Sequence, residues 1–471
     1  MENRERPSMY QDTIAAIATP PGEGGIGLVR LSGPDAGAIA ASIFRRGRSL
    51  RRVPASALES HRLLYGAIVD PDDGRIIDEV MLARMEPPRT YTREEVVEIS
   101  CHGGPLPVRE ILALCLRRGA RSAEAGEFTL RAFLNGRIDL SQAEAVSGVV
   151  GARTSRSLDL AVDELRGRLT ERLKPARDVL VETLAYLDAA ADFPDDEIPV
   201  LDVDPALAAA HEALAEVERS ARSGLLYREG AQIAIVGRPN AGKSSLLNAL
   251  LRADRAIVTE IAGTTRDVIS ETVNLHGLPA TLHDTAGIAE SSDVIEQMGI
   301  DRSRQAIASS GIALFVIDRA APPTREDETV ATLLAERVDN ASVVIALNKC
   351  DLPDAGGHKR AVDRLAGARL IEISTVSGAG IAELERALYE TAVGQTGTSG
   401  EPALVTVRQM DALRRALESV EAAQAARLLN VPLDLLAVDV RDALHAVGEI
   451  TGEYVDEAVL DEIFSRFCIG K

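Results

Sequence analysis

The chain has 471 residues, 46% hydrophobic and 26% charged, a length that accommodates about three domains and a composition that excludes a small disulfide scaffold or wholesale disorder. Aromatics are only 3% and Trp is absent, which argues against sugar stacking or an aromatic platform for single-stranded nucleic acid. With a formal net charge of −20, a nucleic-acid partner would have to be held on a local basic patch.

One such patch is Arg45, Arg46, Arg48, Arg51 and Arg52; its plainer reading is a solvated loop. Lysines are scarce: Lys174, Lys243, Lys349, Lys359 and Lys471. A lysine kept in so Arg-rich a chain marks places where a guanidinium does not serve. Cys101, Cys115, Cys350 and Cys468 form no CxxC pair, so neither a disulfide framework nor a zinc site is expected. No apolar run reaches the roughly 18 residues of a membrane span, and the first residues are too polar for a signal peptide. A cytoplasmic location without membrane contact is expected.

Along the chain, strand-like runs at 13–19, 27–32, 63–69, 79–85 and 95–100, with a helical stretch at 107–118, predict an α+β domain over residues 1–135. From Ser141 the pattern turns helical. Ser141 and Glu144 have capping-box spacing, and Leu158, Val162, Leu165, Leu169 and Leu173 recur as one stripe. A first helical piece is expected over 136–229. Residues 230–393 alternate buried strand-like runs (232–236, 312–317, 342–347, 370–373) with helices, as a parallel sheet wrapped by helices requires. After a Gly/Ser/Thr-rich linker near 394–400, helical periodicity returns to 471. Neither helical piece covers its apolar stripe alone, so the expected fold is multidomain, with the α/β domain inserted into one all-α domain.

Residues 237–244 read Gly-Arg-Pro-Asn-Ala-Gly-Lys-Ser, a G-x-x-x-x-G-K-S loop between a strand and a helix. Such a loop wraps phosphates with backbone amides from Asn240 to Ser245, including Ala241 and Gly242. Lys243 neutralises the terminal phosphates and Ser244 ligates Mg²⁺. Asn348-Lys349-Cys350-Asp351 follows a strand. The Asp351 carboxylate can accept both N1–H and the 2-amino group of guanine, so GTP is expected over ATP. Between these motifs lie residues 263–267, Gly-Thr-Thr-Arg-Asp, with Thr265 the candidate second hydroxyl on Mg²⁺. Asp284-Thr285-Ala286-Gly287 follows, with Gly287 donating to the γ-phosphate. Ser374-Thr375 stands where a Ser-Ala pair usually faces the guanine. Ile288 cannot orient a water, which leaves Glu290, Asp293 and Glu296 as candidates for that task. Residues 22–27 match G-x-G-x-x-G but lead into a strand, so a dinucleotide site is not expected there.

These motifs, the helical surround and the terminal Phe-Cys-Ile-Gly-Lys of 467–471 resemble the tRNA modification GTPase MnmE (TrmE) family over essentially the whole chain, including Thr-Pro-Pro-Gly at 19–22 and Phe-Leu-Asn-Gly-Arg-Ile-Asp at 133–139. The resemblance implies a K⁺-stimulated GTPase serving C5 modification of the tRNA wobble uridine. It implies K⁺ ligands at Asn240, Thr259, Ile261 and Thr264, Thr259 also counting as nucleotide-binding, and selects Glu296 to position water. It further implies a folate-binding-like N-terminal domain that dimerises and holds 5-formyl-tetrahydrofolate or a relative through Arg30, Glu98, Arg137 and Lys471. Helical pieces at 136–229 and 394–471 flank a G domain at 230–393, and FAD enters only on the partner MnmG, in a heterotetramer. Cys468, beside that folate site, is a candidate catalytic thiol; its plainer reading is a small buried hydrophobe. His102 reads as structural, since nothing completes a triad. The alternative class is a regulatory GTPase switch in ribosome assembly, although no RNA-binding appendage such as a KH domain follows residue 393.

Overall fold

The computed structural model describes residues 12–192, 202–253, 270–284, 310–337, 342–358, 363–365, 367–394, 401–429 and 431–470. The chain divides into two compact units, Met1–Ser147 with Thr451–Lys471, and Gly148–Ile450. The division at 451 falls within the range expected as the second helical piece.

In the first unit the described strands are β1 (Ile14–Ile17), β2 (Gly24–Ser32), β3 (Phe44–Arg46), β4 (Arg51–Arg52), β5 (Arg62–Val69), β6 (Ile76–Met85), β7 (Val96–Gly103) and β8 (Arg121–Ser122). They form one sheet in the order β4-β3-β5-β6-β7-β2-β1-β8. The pairs are antiparallel except β1 with β8. Helices α1 (Ala36–Ile43) and α2 (Pro105–Arg117) cover one face. Val29, Leu31, Val97 and Ile99 point into that core. The period of two therefore turns Arg30 and Glu98 to the opposite face, directly across from one another.

Helix α3 (Glu127–Leu134) and the start of α4 (Leu140–Gly151) pack with the C-terminal helix Glu457–Ser465 around Leu140, Ala143 and Phe464. The reciprocal cap of α4 lies two residues before the predicted one. The Gln142 amide donates to Asp139 Oδ1 at 2.8 Å and the Asp139 amide to Gln142 Oε1 at 2.9 Å. Asp139 stands just outside the helix, whereas Ser141 is already within its first turn. The Arg-rich stretch is likewise not a loop: Arg45 pairs with Arg52 and Arg46 with Arg51 in a short hairpin, and Arg45 is buried.

The second unit carries β9 (Ala231–Val236), β10 (Ser270–Leu275), β11 (Leu278–Asp284), β12 (Ile312–Asp318), β13 (Val343–Asn348) and β14 (Arg369–Glu372), ordered β10-β11-β9-β12-β13-β14. All neighbours are parallel but β10 and β11. That hairpin corrects the all-parallel expectation. Its turn, His276-Gly277, has positive φ at both residues (50° and 95°), the geometry that joins two strands tightly. β12 and β13 are buried throughout, as central strands with both faces covered must be.

Helices α5 (Ser155–Leu165), α6 (Arg168–Asp192) and α7 (Asp204–Glu229) precede this sheet. Helices α8 (Lys243–Ala253), α9 (Arg325–Arg337) and α10 (Ile381–Gly394) lie within it in sequence, and α11 (Val407–Leu428) and α12 (Leu433–Thr451) follow. Residues of α6, α7, α11 and α12 share one core, including Leu173, Leu214, Leu413 and Val440. Apolar stripes from both sides of the α/β segment thus bury one another. The predicted stripe through Leu158 and Val162 is corrected: both are exposed, while Leu160 and Ala161 are buried. Gly167, at φ 90°, ends one helix before the next begins, so a single phase cannot run from 158 to 173. Among the described residues no helix is long and apolar enough to cross a membrane.

Candidate functional site

β9 has β11 on one side and β12 on the other, so its carboxyl end lies at the point where the strand order reverses. The phosphate-type loop begins there. Gly237 (φ 147°) and Gly242 (φ 98°) occupy conformations closed to L side chains. A Cβ at Gly237 would run into the Val316 carbonyl, and one at Gly242 into Asn348 Nδ2. The loop opens α8, whose first amides and macrodipole favour anions. Lys243 is buried, and its ammonium donates to the carbonyls of Gly237 (2.8 Å) and Arg238 (2.9 Å). Asn240, Ser244 and Ser245 are exposed, and Ala241 is buried beneath them.

Asn348 joins the loop to the guanine-type motif. It is fully buried at the end of β13; Nδ2 donates to the Ala241 carbonyl at 2.9 Å. Its Oδ1 accepts from the Lys349 amide (2.8 Å) and the Thr375 amide (3.3 Å), so one side chain ties 241, 349 and 375 together. Lys349 Nζ reaches the Asn240 carbonyl (3.2 Å) and Asp318 Oδ2 (2.7 Å). Ser374 is fully buried and its hydroxyl accepts from the Ser377 amide at 3.1 Å, which shapes the turn bearing Thr375. Asp351 is exposed on the turn after Lys349. Asp284 ends β11 in register with Ile235, beside the start of the loop.

Thr259, Ile261, Thr264, Thr265, Thr285, Ala286, Gly287, Glu296 and Lys471 lie outside the described residues, as do the other acidic candidates Glu290 and Asp293. Sequence reading missed Asp318. It sits opposite Asn348 across β12 and β13, and besides Lys349 it faces Arg238 Nη2 at 3.7 Å. Its only signal was an acidic residue closing an otherwise apolar strand.

In the N-terminal unit, Arg30 Nε donates to Glu98 Oε1 at 2.9 Å, and Nη1 donates to the Gly470 carbonyl at 3.1 Å. The chain's last segment is held there by a bridge between Ala125 and Ile469. Tyr91, also missed, has two cations near its ring: Arg137 is 4.7 Å and Arg30 5.7 Å from its centre. Its hydroxyl meets Thr129 Oγ1 at 2.9 Å. Cys468 is exposed, which departs from the buried-hydrophobe reading, and its carbonyl accepts from the Gly126 amide. Elsewhere, burial pushes the Cys101 thiol up to about 11, and His102 Nδ1 pairs with Asp78 at 2.6 Å. Cys101 points into the core and donates to the Gly27 carbonyl, whereas His102, the next residue of β7, is exposed on the opposite face, so the two make no nucleophile–base pair.

The glycine-shaped loop at a switch point, clasped by a buried Asn from an Asn-Lys-x-Asp turn, is the nucleotide cage of a P-loop GTPase. Two family models match the chain: "MnmE helical domain" over residues 140–468 and "GTP-binding protein TrmE N-terminus" over 13–137. Relatives described as "tRNA modification GTPase MnmE" include that of Chloroflexus aurantiacus, 50% identical, and that of Roseiflexus sp. strain RS-1, 46% identical; each alignment covers 98% of this chain and 100% of the relative. The counterpart from Acetivibrio thermocellus is 42% identical over the same shares. The chain belongs to the MnmE family of tRNA modification GTPases.

Proposed function

We propose that this GTPase is the GTP-hydrolysing subunit of a complex that builds aminomethyl or carboxymethylaminomethyl groups at C5 of the tRNA wobble uridine. The observation that carries the reading is the presence in one polypeptide of a guanine-nucleotide cage and of a second polar cradle, Arg30, Glu98, Tyr91 and Arg137, closed by the chain's own end.

The residues of that cradle suit a pterin with an acidic tail. A carboxylate such as Glu98 accepts ring N–H donors, Tyr91 offers a flat apolar face, and Arg137 and Lys471 attract carboxylates. A 5-formyl-tetrahydrofolate-type carrier, when bound, supplies the one-carbon unit. Cys468, exposed in the same segment, is the candidate nucleophile.

At the nucleotide, Ser244 and Thr265 would hold Mg²⁺, and Asn240 with Thr259, Ile261 and Thr264 would hold K⁺; both cations offset charge on the transferring phosphoryl group. Asn240 fits this use, being exposed with a left-handed φ of 63° that a loop takes up to aim a short amide. Glu296 would orient the attacking water in place of Ile288. The working assembly is a homodimer joined to FAD-bearing MnmG in the cytoplasm.

Nucleoside analysis of tRNA from a deletion strain tests the reading: the C5-substituted wobble uridines disappear and return with the wild-type gene. An unchanged profile overturns it and favours the ribosome-assembly switch.

A further inference from the structure

Two arginines of the N-terminal unit are almost wholly buried, and they are treated very differently. Arg131 is fully buried and surrounded by carboxylates: Asp12 at 2.6 Å, Glu127 at 2.9 Å and Glu94 at 3.3 Å. Arg45 is 5% exposed and has no carboxylate partner among the described residues. One of its nitrogens donates to the carbonyls of Ser42 (3.0 Å) and Phe44 (2.9 Å), which closes the last turn of α1 but leaves the charge uncompensated.

Arg45 lines a pocket of about 400 Å³ together with Ser42, Arg52, Pro54, Pro71 and Arg118. Among the described residues no acidic one lines it. Arg52 faces Arg45 across the β3–β4 hairpin, and no ion pair engages it among the described residues. Arg118 spends one terminal nitrogen on Asp72, while its buried Nε has no hydrogen-bond partner among the described residues. Burial, and after it the like charge of Arg52, hold the Arg45 pKa below its ordinary value, while the guanidinium stays charged. Three arginines line one concavity: Arg45 is buried without a carboxylate partner among the described residues, Arg52 has no ion pair among them, and Arg118, paired with Asp72 through one terminal nitrogen, keeps a donor to spare. The forked, planar donors of guanidinium match tetrahedral oxyanions.

We infer that the pocket formed by Arg45, Arg52 and Arg118 binds a phosphate group. In a chain of net charge −20 this is the local positive concavity that a polynucleotide backbone requires. A backbone phosphate of tRNA is one source, and a phosphorylated small molecule is the other. The tRNA source rests on the proposed function; phosphate binding by the pocket does not.

The test uses full-length protein, wild type beside Arg52→Glu, Arg118→Gln and the control Arg51→Glu, which lies on the same hairpin but outside the pocket. Calorimetric titration with inorganic phosphate at constant ionic strength is expected to show saturable binding to wild type and to the control. Binding by the two pocket variants should be at least tenfold weaker. Binding of an unmodified tRNA transcript, followed against salt, should weaken at least tenfold in the pocket variants relative to the control, with the log–log salt slope reduced by about one per lost contact. Phosphate binding lost with tRNA affinity unchanged keeps the site and assigns it to a phosphorylated small molecule. Absence of saturable phosphate binding to wild type, or equal losses in the control and pocket variants, overturns the inference. Circular dichroism of each variant confirms that it is folded, and the nucleoside profile judges the tRNA role separately.

Discussion

Asp351 shows how much chemistry one exposed carboxylate can carry. Its position is fixed from below: Lys349 takes a left-handed φ of 67°, and the Cys350 amide is anchored on the Ile373 carbonyl at 3.0 Å. Exchanging the carboxylate for an amide replaces an acceptor by a donor where guanine N1–H needs acceptance. Asp351→Asn is therefore expected to lower GTP affinity on the order of a hundredfold and to raise that for xanthosine triphosphate. Equilibrium titration with both nucleotides checks this, and unchanged GTP binding would remove Asp351 from base selection. The residue was legible because its motif is contiguous. Asp318 and Tyr91 were not, because each acquires its role by meeting side chains distant in sequence: Lys349 is 31 residues from Asp318, and Thr129 is 38 from Tyr91.

The same distinction holds for secondary structure. The alternating β7 and the apolar runs of β5, β12 and β13 stand in the sequence nearly as they stand in the fold. The β10–β11 hairpin was overlooked because its turn uses His-Gly instead of a commoner Asn-Gly pair. The stripe across α5 and α6 failed because periodicity cannot register a glycine that resets the helical phase. The C-terminal segment illustrates a tighter constraint. Gly470 has φ 93°, and a Cβ there would lie 2.5 Å from the Ile17 carbonyl oxygen and 2.8 Å from Ala18 Cα. Gly470→Ala should release the segment from β1, at a cost of about 1–3 kcal/mol to its docking. Hydrogen exchange reads this directly, since the Gly126 amide loses its acceptor on Cys468 and exchanges faster. Unaltered protection would show that the segment tolerates the methyl group. Nucleotide affinity should not change.

For the molecule as a whole, the cage around Arg131 is expected to set the acid limit of the N-terminal unit. Burial raises the Glu127 pKa, but hydrogen bonds from Arg121, the Glu124 amide and Arg131 outweigh it and hold the group below its ordinary value. A carboxylate depressed in the folded state stabilises it above the unfolded value, about 4.3, and that contribution fades as pH falls through the folded value. Glu127→Gln should cost about 3 kcal/mol at pH 7 and flatten the acid limb of stability. Denaturant titrations from pH 7 to 3 measure both, and parallel curves for the two proteins would assign the acid sensitivity elsewhere. Texture reveals helix and strand but not that Thr451–Lys471 groups with Met1–Ser147, since that depends on which distant segments close upon each other.

Arg30 and Gly470 meet across 440 positions. During synthesis, the N-terminal sheet emerges first yet lacks its final strap until Thr451–Lys471 leaves the ribosome, after the whole of Gly148–Ile450 has been translated. At ordinary elongation rates that interval is on the order of tens of seconds. The N-terminal sheet is therefore completed only after the intervening unit has been made, and a nascent chain stalled before residue 451 would present Arg30 without its contact to Gly470.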